Sequence, residues 1–154
     1  MDALATSGAA SSAVLFLVAA RTLKLSKVPV IAIVDDDASV REATRGLMRS
    51  LGYSAVAFSS AEEYLQSERV HDTSCLISDV KMPGMNGIDL QDRLIADGHH
   101  TPIIFMTAFP TDILRTRALE GGALGFLSKP FDEERLLECL RSALMKDRST
   151  RREQ

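Results

Sequence analysis

The stretch "IAIVDDDASV" (residues 31–40) decides the fold of this chain. Five apolar residues, Val30 to Val34, run straight into Asp35, Asp36 and Asp37. Such a run, with no polar alternation, suits a parallel strand covered on both faces. Three adjacent acids at its end repel one another, since two unit charges about 4 Å apart interact by roughly 4 kcal/mol at an effective dielectric near 20. A cation has to share their site.

From Val28 onward, short β-rich runs alternate with amphipathic ones. The predicted strands are Val30–Val34, Ser54–Phe58, Cys75–Ser78, Ile103–Met106 and Leu124–Leu127. Between them, Val40, Ala43, Leu47 and Leu51 follow helical spacing up to a stop at Gly52. Ser60 with Glu63 reads as a capping box. Ile88–Ala96 and Thr111–Glu120 end at glycines, and Asp132 caps a helix with Leu136, Leu140 and Leu144 on one stripe. A five-fold βα alternation predicts an α/β fold: a doubly wound five-stranded parallel sheet, order 2-1-3-4-5, flavodoxin-like, with helices on both faces.

The 154 residues accommodate one domain, set at residues 29–146. Residues 1–28 form an N-terminal extension, partly helical over about Ala9–Leu25 or disordered. Its eight-residue apolar run, Ala13 to Ala20, is too short to span a membrane and lacks the positive start of a secretory signal. Residues 147–154 read as a polar C-terminal tail or the stump of a linker. A net charge of −3 argues against direct nucleic-acid binding. Cys75 and Cys139, with no CxxC and no histidines at ligand spacing, fit reduced thiols in a cytoplasmic protein. His71, His99 and His100 fall in turn-like stretches and read as surface residues.

Each strand hands a polar residue to its carboxyl end: Asp35 and Asp36 after the first, Asp79 after the third, Thr107 after the fourth, Lys129 after the fifth. Ligand sites of open α/β sheets form outside those ends, where the winding reverses. Order 2-1-3-4-5 therefore gathers Asp35, Asp36 and Asp79 into one crevice, flanked by Thr107 and Lys129. Lysine supplies one cation. The remaining acid suits Mg²⁺, with Mn²⁺ as a substitute, and phosphoryl transfer to an aspartate nucleophile.

The blocks "IAIVDDDASVRE", "LISDVKMPGMNGIDL", "PIIFMTAF" and "GALGFLSKPF" together resemble the receiver domain of two-component response regulators, over about Pro29 to Met145. The resemblance implies that Asp79 is phosphorylated by a sensor histidine kinase in a phosphorelay. Asp36 would be a direct metal ligand, Asp35 a ligand mainly through water, and Lys81 a ligand through its backbone carbonyl. Lys129 would pair the phosphate, Thr107 would be the switch hydroxyl and Phe126 the switch aromatic, and Lys129–Pro130 would be cis. It implies no enzyme with an independent substrate, only a phospho-acceptor that assists its own phosphorylation and hydrolysis. "MPGMNGIDL" and "TAFP" look most like receivers of nitrate and nitrogen-fixation regulators, so the chain reads as a stand-alone receiver or as part of a longer DNA-binding regulator.

Plainer roles compete residue by residue. Asp37 serves as well as a helix N-cap; Gly84 and Gly87 read as turn residues around Pro83, and Met82, Met85 and Met106 as packing. Haloacid-dehalogenase-like phosphatases share the Asp nucleophile, but the acid expected two residues after it is Lys81 here. A flavodoxin-like cofactor binder would want a Ser/Thr/Gly-rich loop where this chain places three acids. The last expectation concerns the surface: phosphorylation draws Thr107 inward, Phe126 follows, and the face made by helix 111–120 and strand 124–127 becomes a homodimer or output contact through Ile113, Leu114 and Arg117.

Overall fold

A computed structural model describes residues 28–153. The expectation of a partly helical or disordered N-terminal extension over residues 1–28 lies, but for Val28, outside the described residues. Five strands, β1 Val30–Val34, β2 Ser54–Phe58, β3 Cys75–Asp79, β4 Ile103–Thr107 and β5 Gly125–Ser128, form one parallel sheet in the order β2-β1-β3-β4-β5. The helices are α1 Ala38–Ser50, α2 Ala61–Gln66, α3 Gly87–Ala96, α4 Asp112–Glu120 and α5 Glu133–Glu153, with a 3₁₀ turn at Glu68–His71. The predicted doubly wound architecture is the one observed.

Two apolar layers sandwich the sheet. On one side Ile31, Ile33, Ile77 and Met106 pack against Met48 of α1 and Leu136, Leu140 and Ala143 of α5. On the other, Val34, Leu76 and Phe105 meet Tyr64 of α2, Leu90 and Leu94 of α3, and Ala118 of α4. Alternate residues of each strand serve opposite layers, so the central strands are apolar until their carboxyl ends, where Ser78, Asp79 and Thr107 follow.

Where the elements differ from expectation, a hydrogen bond explains it. On α1 the buried residues are Thr44 and Met48, whereas Ala43 and Leu51 of the predicted stripe are exposed. Thr44 can sit inside because its hydroxyl donates to the Val40 carbonyl at 2.8 Å. Ser60 caps α2 through the Glu63 N–H, but the Glu63 carboxylate reaches back to Ser59 instead of Ser60, one residue beyond a regular box. Strand β5 starts at Gly125, where the sequence suggested Leu124, which instead donates to the Ile103 carbonyl at 2.8 Å as a lead-in. The polar stretch after Leu144 continues α5 as one 21-residue helix, with Asp147 and Thr150 half-buried. His71 and His100 are exposed as expected; His99 is half-buried, its ring 5.5 Å from that of His71.

Candidate functional site

Strand register assembles the crevice. Val34 lies opposite Ser78, so the next residue of each strand, Asp35 and Asp79, leaves the sheet beside the other. Thr107 pairs with Ser128, which puts Lys129 one step past the same edge. The Lys129–Pro130 peptide is cis, as the resemblance implied. The Lys129 ammonium stands 2.7 Å from Asp35 Oδ2 and donates to Asp79 Oδ2 at 3.1 Å. Asp35 is 1% exposed and Asp79 6%, while Asp36 faces solvent.

The acid loop is tied down from both ends. Asp35 Oδ1 accepts from the Asp37 N–H at 2.9 Å. Asp37 is the N-cap of α1, accepting from Ser39 and Val40, which settles its structural role. One contributor escaped the sequence reading: Arg41 donates to the Asp35 carbonyl at 2.8 Å and fixes the backbone that carries the acids. An arginine in the first turns of an amphipathic helix carries no signal of such a contact.

These contacts set the electrostatics. Burial pushes the Asp79 carboxyl above the ordinary carboxylate range, and the charges of Asp35 and Asp36 add to that, against the opposing pull of Lys129. Burial works against the Lys129 charge too, but hydrogen bonding and attraction from Asp35 and then Asp79 outweigh it, and its pKa rises. One lysine therefore faces two buried carboxylates and leaves them undercompensated.

The crevice fits a hard divalent cation. Carboxylate oxygens of Asp35, Asp36 and Asp79 lie within 4.8 Å of one another. Asp35 Oδ2 is buried and its neighbour is the Lys129 ammonium, 2.7 Å away, which it shares with Asp79. An all-oxygen donor set of three carboxylates facing one ammonium, with Asp36 exposed, suits Mg²⁺, which retains several waters. Lys81 is exposed at the rim, its ammonium 5.0 Å from the centre of the Phe109 ring.

The candidate switch residues come from the carboxyl end of β4 and from β5. Thr107 is fully buried and its hydroxyl oxygen accepts from the Phe109 N–H at 3.1 Å. Phe126 is 6% exposed and packed in the α2–α4 layer, so in this conformation the ring is already inward, where the sequence reading had it turn inward only later. It lies opposite Phe105 on β4. On α4, Leu114 packs against the core while Ile113 and Arg117 are exposed.

Comparison with known proteins places this geometry. A model of the response regulator receiver domain matches residues 31–141. Nodulation protein W of Bradyrhizobium diazoefficiens is 43% identical over 81% of this chain and 55% of its own length. The response regulator protein TodT of Pseudomonas putida is 44% identical over 75% of this chain and 51% of its own. The chain thus spans about half the length of the curated relatives it matches. Among solved structures, the response regulator StyR superposes with a TM-score of 0.74 at 40% identity, over 82% of this chain and 64% of that one. FixJ-N superposes at 0.69 and 26% identity, over 78% and 96%. These matches set aside the phosphatase and cofactor-binder readings: the chain belongs to the response regulator receiver domains of two-component signalling.

Proposed function

We propose that Asp79 accepts a phosphoryl group from the phosphohistidine of a sensor histidine kinase and that the acyl phosphate then alters the surface around α4. Receiver domains are signalling phospho-acceptors, not classical enzymes, and they bind Mg²⁺ at an acidic pocket. The observation that carries the assignment is the pairing of one half-buried lysine with two buried carboxylates at the sheet's switch point, Asp79 being the more exposed of the two.

Asp35, Asp36, Asp79 and the backbone carbonyl of Lys81 would hold the ion, which supplies positive charge against the phosphoryl oxygens when bound. The remaining chemistry belongs to the chain. A carboxylate oxygen of Asp79 attacks phosphorus as the P–N bond to the donor imidazole breaks, and the imidazole leaves with the bonding pair. Burial that raises the Asp79 pKa makes its carboxylate more basic and less well solvated, both favourable in a nucleophile. Lys129, 3.1 Å from Asp79 before transfer, is placed to move its ammonium to a phosphoryl oxygen. The Thr107 hydroxyl can give up its present place near Phe109 N–H to donate to the same group.

Acetyl phosphate with Mg²⁺ should add one hydroxylamine-labile phosphoryl group, and Asp79→Ala should abolish it. Label surviving in that variant would show that another residue is the nucleophile. Asp36→Asn should weaken metal binding. We further place the protein in the cytoplasm. Among the described residues no helix is long and apolar enough to cross a membrane.

A further inference from the structure

The segment Val80–Asn86 follows Asp79 at the end of β3, carries Lys81, whose carbonyl is the proposed backbone ligand, and turns into α3. Its own ties are few. The Gly87 N–H donates to the Val80 carbonyl at 2.8 Å, and Asn86 with Asp89 forms a capping box. Helix α3 then starts hard against the nucleophile, since a Cβ on Gly87 would collide with the Asp79 carbonyl oxygen. A shift at the top of this loop is therefore felt at Asp79.

A hydrogen bond also reaches the loop from α2. The Met85 N–H donates to Glu62 Oε1 at 2.6 Å, across 23 residues of sequence and from the first turn of α2. Gly84 makes the approach open. Its φ of +75° favours glycine, and a Cβ there would lie 2.7 Å from the same carboxylate oxygen. The Met85 N–H is the largest influence holding the Glu62 carboxyl below the usual carboxylate range, so the bond is charge-assisted at neutral pH. An acid in the first turn of a helix is ordinarily explained by the helix dipole. Here Glu63 already serves that end, on Ser59, while Glu62 turns away to another element.

We infer that Glu62 is a positioning residue for the phospho-acceptor site: its carboxylate holds the Val80–Asn86 loop so that the Lys81 carbonyl and Asp79 face the metal crevice together. The inference rests on the phospho-acceptor reading given above. Residues that orient metal ligands without touching the metal typically set affinity by about 10–100-fold. Glu62 acts at one remove, through main chain, so its loss should weaken Mn²⁺ binding by about tenfold, the low end of that range.

The test measures Mn²⁺ affinity by the spin resonance of free Mn²⁺, on the full 154-residue chain and its Glu62→Ala, Glu62→Gln and Asp36→Asn variants. Glu62→Ala should bind about tenfold more weakly and lose the hydrogen-bonded shift of the Met85 amide resonance, with Tm lowered by less than about 4 °C. Glu62→Gln, which keeps an acceptor oxygen, should recover most of the affinity and of the amide shift. If Asp36→Asn loses Mn²⁺ while Glu62→Ala binds like wild type, this inference is overturned and the phospho-acceptor site stands. If Asp36→Asn also binds like wild type, the metal assignment itself falls and takes this one with it. A Glu62→Ala variant with amide shifts displaced throughout and a large drop in Tm would make the residue merely structural, which also overturns it.

Discussion

Two regions near the carboxyl edge of the sheet invert the ordinary rule of burial in opposite directions. In the crevice, Asp35 and Asp79 are 1% and 6% exposed. Just past β4, Phe109 and Ile113 are 64% and 74% exposed. The neighbouring helix α3 buries Ile88, Leu90, Gln91 and Leu94, whereas α4 buries only Ala118. Buried charge costs free energy unless it is paired. Exposed apolar surface costs little by itself and is stabilised by whatever covers it. The crevice thus holds electrostatic strain that a cation or a change of bonding can relieve. Helix α4 is held by few contacts, which is the property of elements that shift when a site changes state. Thr107, at the end of β4, stands between the two.

The crevice half of this contrast depends most on Lys129. Its side chain is 13% exposed, and that of Asp35 only 1%, so solvent replaces little of what the ammonium provides. Lys129→Met should lower the unfolding free energy in metal-free buffer by about 3–5 kcal/mol, the cost of leaving one partner of a buried pair behind. Urea unfolding at neutral pH measures it. A loss below about 1 kcal/mol, the value of an exposed pair, would mean that the crevice is wet and that the contrast with α4 is one of composition alone.

Asp79 tests the same half with the opposite sign. Its folded-state pKa is raised, so the native protein binds its proton more tightly than the unfolded chain does. Stability from this group is fully present below the unfolded value near 3.9 and is lost as pH rises through the folded one. Asp79→Asn, lacking the charge, should therefore be more stable than wild type at pH 7, with the gain shrinking as pH falls towards 4. Thermal unfolding across that range checks it. A variant less stable than wild type at neutral pH would show that the Lys129 contact outweighs burial.

The two regions were unequally legible in the sequence. Strands ending in Asp35, Asp79, Thr107 and Lys129 announce themselves because an apolar run followed by a polar residue has few other readings. Their convergence follows from strand order and register. The states of Phe126 and α4 are tertiary facts. Nothing in "GFLSK" tells whether the ring lies in or out, and in α4 the order Asp-Ile-Leu-Arg gives Ile113 and Leu114 equal claims on the core. Arg41 acts on a backbone carbonyl six residues back and Glu62 on a backbone N–H 23 residues on, contacts that carry no sequence label. On α1 the label misled, since Thr44 is buried by virtue of a hydroxyl bonded to its own helix.

The α4 half of the contrast yields the smallest stability effect and the largest difference between neighbours. Ile113→Ser removes side chain that water already surrounds, and should change the unfolding free energy by no more than about 0.5 kcal/mol. Leu114→Ser removes side chain packed against Phe126's layer, and should cost about 1–3 kcal/mol. If α4 presents the contact that follows phosphorylation, the order of effects reverses for association. Beryllofluoride with Mg²⁺, which mimics the acyl phosphate, should then shift wild type towards dimer in sedimentation, and Ile113→Ser should stay monomeric despite its intact stability. The inward position of Phe126 sharpens the expectation. With the ring already packed, the bonding change at Thr107 has to reach the surface through the Thr107–Phe109 segment and the start of α4, so Thr107→Ala should block the mass change as Ile113→Ser does. A beryllofluoride-induced dimer that survives Ile113→Ser would place the contact elsewhere and leave the exposed face of α4 as ordinary surface.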